Sequence, residues 1–600
     1  MQSITRRKLL TLAGVAPAAL ALGQAESPAL STFDYNEVEL LDSPLRRQFD
    51  TNHAFFLHLS EDRMLKIYRQ RVGMPAPGPD MGGWYDDFCP GAHFGQYVSA
   101  LARFARATDS EETRAKVKRL VRGYAQTLDP AGKFFVDLRY PGYTYDKLVL
   151  ALLDAYSYAG DSTALDVLAE TTRAALPHMA DRALTPEEMQ QRPHKDETYT
   201  WDETYTFAEN LFLAYERTGD RKYYDLGKRY LLDRGFFDPL AEGKNALTGL
   251  HAYSHVNALS SGIQGYLKLG DPKYFRAVTN AVDMILKDQS YATGGWGPNE
   301  AFVQPGKGEL GASLRDTHRH FESGCGSYAH FKLMRYLLAI TRDSRYGDSM
   351  ERMLYNVALG ILPIQEDGST FYYSDYHPAA RKSYIRIIPD ATYRWDKDDR
   401  WPCCSGTFPQ VTADYGISSY FRARDGIYVN LYVPSRAKWK QGAILQETNY
   451  PAGSQVTLSF TAAPPGDFAV YLRIPAWAGK GTTVSINGNR IRTELKPGFF
   501  PIRRQWKRGD KIELEIDQRL QYEPVDAQTP TQVALLRGPQ VMFALTEAQP
   551  KLSRRQLLSA KIERVPGDDW VARTEAGDIR LRPFRAIGDE VYQTYWEVTG

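Results

Sequence analysis

Cysteine is scarce in this chain: four occur in 600 residues, Cys89, Cys325, Cys403 and Cys404. That is too few for a fold held by disulfides. Excess charge is missing as well, with 74 lysines and arginines against 72 acids, so no broad field exists to draw in nucleic acid or an anionic membrane. No segment after residue 25 approaches the roughly 20 consecutive apolar residues of a membrane span. What remains is an ordinary globular composition, 43% hydrophobic and 24% charged, at a length that usually divides into two or more domains.

The first 25 residues form a separate unit. Arg6-Arg7-Lys8 precedes an apolar stretch through Leu22 and the small-residue site Gly23-Gln24-Ala25, the layout of an export signal with the paired arginines of the twin-arginine route. The expectation is a periplasmic or secreted protein whose mature chain starts near Glu26. Residues 26–50 read as an extended N-terminal segment in which Glu37-Val38-Glu39-Leu40 has the character of a strand joining a sheet. From 51 to 425 apolar residues recur at helical spacing, punctuated by turns around Asp62, Asp109, Asp161, Asp220, Asp271 and Asp343. Glycine at such a turn ends one helix in the left-handed conformation and Asp caps the next. Six hairpins are expected, closing into an (α/α)6 barrel. After Asp425 short alternating runs such as Ala469-Val470-Tyr471-Leu472-Arg473-Ile474, separated by turns such as Asn487-Gly488-Asn489, predict a β-sandwich region over 426–600, in one or two sandwiches.

Several unusual polar residues share a phase relative to these turns. His93, Tyr145, Glu203, His251 and Glu322 each precede their turn by 16 to 21 residues. At about 1.5 Å per residue this places each of them at the start of the first helix of a hairpin. A ring of hairpins would gather them at one mouth. The resulting pocket, rich in tyrosine, histidine and carboxylate with little net charge, suits stacking on and hydrogen bonding to a neutral sugar. Cys325, Cys403 and Cys404 with Glu322 make a plausible tetrahedral zinc set. The same residues also fit a strained vicinal disulfide or buried free thiols; export of an already folded chain favours the metal, because the site can form in a reducing compartment.

Thr293-Gly294-Gly295-Trp296-Gly297-Pro298-Asn299-Glu300, Gly249-Leu250-His251-Ala252-Tyr253-Ser254-His255, the Glu322–Cys325 element and the Cys403-Cys404 pair occur in the order seen in glycoside hydrolase family 127. From Val38 through the β-region the chain resembles these β-L-arabinofuranosidase-like enzymes. The resemblance implies an α/α barrel carrying β-sandwich domains. It also implies zinc held by Glu322, Cys325, Cys403 and Cys404, with Cys403 as nucleophile and Glu300 as general acid/base of a retaining glycoside hydrolase. His93, Tyr145, Glu203, His251 and His255 are the candidates for binding sugar hydroxyls. The chain departs from the family in two places. Glu322 and Cys325 are three positions apart where two is usual, and Ser405-Gly406-Thr407 follows the cysteine pair where Pro-Pro-Asn is common, marking a divergent member. Three other readings compete: a polysaccharide lyase on the same toroid, a glycan-binding protein whose zinc is structural, and an inverting hydrolase using only Glu203 and Glu300.

Overall fold

A computed structural model describes residues 28–190, 202–384 and 398–599 of the protein. The export-signal reading of residues 1–25 lies outside them. Among the described residues thirteen helices build the barrel: α1 (Pro44–His58), α2 (Glu61–Arg71), α3 (Ala92–Thr108), α4 (Glu111–Ala125), α5 (Pro141–Ala159), α6 (Ala164–Ala175), α7 (Phe207–Thr218), α8 (Arg221–Arg229), α9 (Ala252–Leu269), α10 (Pro272–Met284), α11 (Ser323–Thr341), α12 (Ser344–Asn356) and α13 (Cys404–Ala413). The inner ring runs α3–α5–α7–α9–α11–α13 and closes on α3, while α4, α6, α8, α10 and α12 each pack outside their own hairpin partner. The architecture is an (α/α)6 toroid followed by β-sheets.

The hairpin turns follow the expected chemistry. Gly219 and Gly270 end α7 and α9 in the left-handed region, and Asp220, Asp271 and Asp343 accept an amide N–H of α8, α10 and α12. At the turn near 109 the roles shift by one residue. Asp109 itself takes the left-handed position and Ser110 caps α4. The expected first hairpin differs more: the Ser60 turn joins two outer helices, α1 and α2, and the sixth inner helix is α13, against which α1 packs. Helix α13 carries no apolar stripe because all ten of its residues are buried, and Pro409 sits within it. Inner helices approach closely where side chains are small; a Cβ on Gly95 of α3 would lie 2.3 Å from the Lys147 carbonyl of α5.

Two sandwiches follow the barrel. In the first, a five-stranded sheet includes Ser31–Thr32, Asp467–Ile474 and Gly498–Gln505, and a seven-stranded sheet runs from Asn489–Arg490 to Val38–Leu40 at its other edge. Val38–Leu40 pairs antiparallel with Ser435–Ala437. Trp439 of the second sheet stacks on Phe468 of the first. The second sandwich, within residues 520–599, has its own small core around Leu535, Met542, Trp570 and Trp596. Both are fastened to the barrel by buried polar contacts. Arg473 bridges Asp348 and Glu351 of α12, and Asn356 Oδ1 accepts from the Val541 N–H. Among the described residues no helix is long and apolar enough to cross a membrane.

Candidate functional site

The N-terminal ends of the inner helices converge on one cavity of about 620 Å³, counting the space open to solvent. Its wall includes Glu203, His251, Glu300, Glu322, Cys325 and Cys403. Their placement follows from the chain's local geometry. His251, Glu322 and Cys403 are the residues that immediately precede α9, α11 and α13, and Glu203 stands before the single turn leading into α7. Free backbone N–H groups and the helix dipole favour anionic side chains at such positions.

Glu322, Cys325, Cys403 and Cys404 form one cluster, with one donor atom from each lying within 4.8 Å of all the others. Cys403 Sγ lies 2.8 Å from Glu322 Oε1, Cys404 Sγ 3.4 Å from the same oxygen, and Cys404 Sγ 3.8 Å from Cys325 Sγ. The three-residue spacing of Glu322 and Cys325 puts both on one face at the start of α11, since positions three apart are helical neighbours. None of the four cysteines is in a disulfide. Burial pushes all three clustered thiols up, and burial together with the neighbouring Glu300 charge raises Glu322 to about 7. Four acidic groups with no cation among them are costly to bury. A zinc ion fits the donor set: thiolate and carboxylate are its ligands, and two thiolates on a tetrahedral ion stand about 3.8 Å apart. Thr407 donates its hydroxyl to Cys325 Sγ at 3.3 Å, and Tyr372 OH lies 3.4 Å from Cys403 Sγ.

Glu300 faces the same cavity from a strained loop. Asn299 and Glu300 both adopt left-handed backbone, φ 51° and 63°, a conformation that persists only where the surroundings enforce it. The Asn299 N–H donates to Arg319 O at 2.8 Å, Thr317 Oγ1 donates to Asn299 Oδ1 at 2.7 Å, and the Glu300 N–H donates to Gly297 O at 3.0 Å. Tyr373 donates its hydroxyl to Glu300 Oε1. His251 stands between two carboxylates, its Nε2 3.5 Å from Glu300 Oε2 and its Nδ1 3.7 Å from Glu203 Oε1. Burial disfavours charge on the imidazole, but Glu300 and Glu203 outweigh it and raise His251 to about 9. Burial raises Glu203, against the pull of Lys147 and His251.

The other three candidates for sugar binding lie outside the cavity wall. Tyr145 turns outward, its hydroxyl 3.0 Å from Thr172 Oγ1 of α6. His255 sits one turn below His251, with Nδ1 2.7 Å from the His251 carbonyl and its ring stacked on Tyr205. His93 is fully buried beside Tyr85 and Tyr143; burial lowers both histidines to about 3. The cavity is completed by residues that periodicity did not single out: Trp84, Phe88, Tyr140, Tyr143 and Tyr372 on one side, and Gln96, Lys147 and Asn257 below. Cys89 also lines it, 5% exposed. The run Phe371-Tyr372-Tyr373 was the available signal for Tyr372 and for Tyr373, which bonds Glu300. It is held beside Glu322 by antiparallel pairing of Tyr373–Ser374 with Phe321–Glu322.

Comparison with known proteins gives a consistent result. Residues 37–416 match the sequence model of the β-L-arabinofuranosidase GH127 catalytic domain, and residues 426–518 that of the GH127 middle domain. A non-reducing end β-L-arabinofuranosidase of Bifidobacterium longum is 23% identical over 402 residues, 56% of this chain and 56% of that enzyme. The alignment thus spans little more than half of the relative's length. Among solved structures, a GH127 β-arabinofuranosidase superposes with TM-score 0.74 at 19% identity, covering 95% of this chain and 98% of the other. A GH127 β-L-arabinofuranosidase from Geobacillus stearothermophilus T6 gives TM-score 0.70 at 20% identity, covering 94% and 100%.

Proposed function

The chain belongs to glycoside hydrolase family 127, and from that premise we propose that it is an exported, retaining glycosidase that removes a terminal β-L-arabinofuranose or closely related neutral sugar through a cysteine nucleophile. The observation that carries this reading is the meeting of Cys403 and Glu300 on one cavity wall, with Cys403 inside a buried cluster of metal-ligand type.

Glu322, Cys325, Cys403 and Cys404 would hold zinc, which when bound keeps the coordinated thiols deprotonated at neutral pH. Cys403 Sγ then attacks the anomeric carbon, and the bond to the leaving oxygen breaks as Glu300 gives that oxygen its proton. The product of this half is a thioglycosyl enzyme and a free alcohol. In the second half Glu300 takes a proton from water, whose oxygen displaces Cys403 Sγ from the anomeric carbon. Two displacements restore the configuration, the logic of retaining glycosidases with sulfur in place of the second carboxylate. Tyr373 fixes the Glu300 carboxyl, and His251 aligns it against Glu203. The apolar face of the sugar packs on the aromatic side of the cavity, with its hydroxyls toward Glu203 and His251.

The test is hydrolysis of a panel of p-nitrophenyl furanosides and pyranosides, with metal content measured on the same preparation. Activity on a β-L-arabinofuranoside, about one zinc per chain, and a fall of at least a thousandfold in Cys403→Ser are expected. Full activity in Cys403→Ser, or an active protein without zinc, would overturn the mechanism. An unsaturated product absorbing in the ultraviolet would show a lyase instead. Appearance of the mature protein in the periplasmic fraction or the medium, abolished by Arg6→Lys/Arg7→Lys, checks the export route.

A further inference from the structure

Beneath the reacting groups the cavity has a polar floor for which the chemistry above has no use. Gln96, Lys147 and Asn257 all line the cavity. They are the fifth, seventh and sixth residues of α3, α5 and α9, so they share a layer roughly 6–9 Å below the helix starts. Cys403, Glu322 and His251 stand at the helix starts themselves. The cavity is therefore layered, with the chemistry at the upper level and the backbone positions of three polar side chains a turn or more below it.

Two of the floor groups hold buried acceptors. Gln96 Oε1 and Asn257 Oδ1 have no hydrogen-bond partner among the described residues, and Gln96 as a whole is 2% exposed. An acceptor carbonyl left unpaired in the interior costs about 1–3 kcal/mol; both oxygens are sealed from solvent in this arrangement, so a donor bound in the cavity meets them when the Gln96 and Asn257 amides turn toward it. Gln96 Oε1 rests over Gly406 of α13, where a Cβ would come within 2.3 Å of it. Lys147 is the third group. Its ammonium donates to Asp146 Oδ2 at 3.2 Å and lies 4.1 Å from the Tyr143 ring centre. Although burial opposes its charge, Asp146 and Glu203 hold it above the usual lysine value. Its charge is thus matched within the protein, and its remaining N–H donors can serve a neutral oxygen.

Resting on the reading of this cavity as a sugar site, we propose that Gln96, Asn257 and Lys147 form a specificity floor that reads a free hydroxymethyl group at the end of the sugar farthest from the anomeric carbon. With that carbon at the level of Cys403 and Glu300, a single ring spans the distance to the floor. The terminal hydroxyl donates to one of the orphaned amide carbonyls and accepts from Lys147. A methyl group there leaves the acceptors unpaired. A carboxylate places a negative oxygen against two carbonyls, beside Asp146 and Glu203. The floor therefore selects sugars ending in CH2OH over their deoxy and uronic counterparts.

The test is equilibrium binding of sugars to the full chain as purified, by calorimetry, in sets that differ only at the terminal carbon. The sets are methyl α-L-arabinofuranoside with its 5-deoxy counterpart, both locked in the furanose ring, and D-galactose with D-fucose and D-galacturonate. At least tenfold weaker binding of the deoxy and uronic members is expected, since a site that pairs a hydroxyl penalises its loss. Gln96→Met and Asn257→Leu should each weaken the hydroxymethyl sugars and leave the deoxy sugars nearly unchanged, shrinking the ratio. Unshifted thermal melting of either variant certifies its fold. Equal binding within each set, tighter uronate binding, no binding at all, or an unchanged ratio in both folded variants would each overturn the floor. Hydroxymethyl selectivity without glycoside hydrolysis would keep the floor and remove the proposed reaction; hydrolysis without selectivity would do the reverse.

Discussion

The inner ring buries ionisable side chains at both of its ends, and the two ends obey opposite rules. At the C-terminal end of the inner helices every charge named has a partner. Arg103 Nε bonds Asp154 at 2.9 Å and its Nη1 bonds Asp414 at 3.1 Å, while Arg335 Nη2 bonds Asp414 at 2.6 Å. Tyr35 and Ser99 donate to the same two carboxylates. Burial alone would raise Asp414, but Arg103 and Arg335 prevail and hold it below the usual carboxylate range. At the N-terminal end Glu322, Cys325, Cys403 and Cys404 meet one another and the neutral hydroxyls of Thr407 and Tyr372, and burial with the Glu300 charge pushes Glu322 up against the pull of His251. A saturated network fixes a fold, whereas an unsaturated one is a binding site awaiting its counter-charge.

The largest effect that would sharpen this contrast is on catalysis. Glu300→Gln should lower kcat by about 10²–10⁴-fold with little change in melting temperature, because general acid–base groups carry that much of a rate; comparable activity would dissolve the distinction between the ends. Asp414→Asn should do the converse. Leaving Arg103 and Arg335 buried without their shared carboxylate should cost about 3–5 kcal/mol in urea unfolding, with kcat retained wherever the variant is folded. A third measurement tests the wall behind the cavity by pH. His93 is neutral in the folded state down to about 3, whereas an unfolded histidine takes up a proton near pH 6.5. Its stabilising contribution is therefore complete above about pH 6.5 and is lost as pH falls toward 3. Between pH 7 and 5 the wild type should lose about 1–2 kcal/mol more than His93→Leu, read from urea midpoints. Smallest is Tyr145→Phe, which removes only the bond to Thr172: about 1 kcal/mol of stability and no change in kcat/KM. A large KM effect would return Tyr145 to the substrate.

Local rules explain what could be read in advance. Asp220, Asp271 and Asp343 are caps whose partners lie two residues away, so sequence alone locates them, and with them the mouth that collects Glu203, His251 and Glu322. Azimuth around a helix is harder to read than height along it. Tyr143 and Tyr145 differ by only two positions, yet at about 100° per residue they point to opposite sides, and it is Tyr143 that lines the cavity. Helix α13 escaped notice for another reason. With no exposed face it lacks the periodic pattern that amphipathic helices show. Tyr372 and Tyr373 reach the site through strand pairing with Phe321–Glu322, a contact no local pattern encodes.

The closure of the ring by α13 also sets an order of events during synthesis. Tyr97 OH meets Ser405 Oγ at 2.7 Å across 308 positions of chain, and Cys403 meets Glu322 across 81. Until the segment around residue 413 has left the ribosome the ring cannot close, and the five earlier inner helices carry only one thiol and one carboxylate of the cluster. The last inner helix delivers both remaining sulfurs and shuts the wall in the same movement. Assembly of the candidate metal site and completion of the barrel are therefore a single late step, and a nascent chain cannot acquire one without the other.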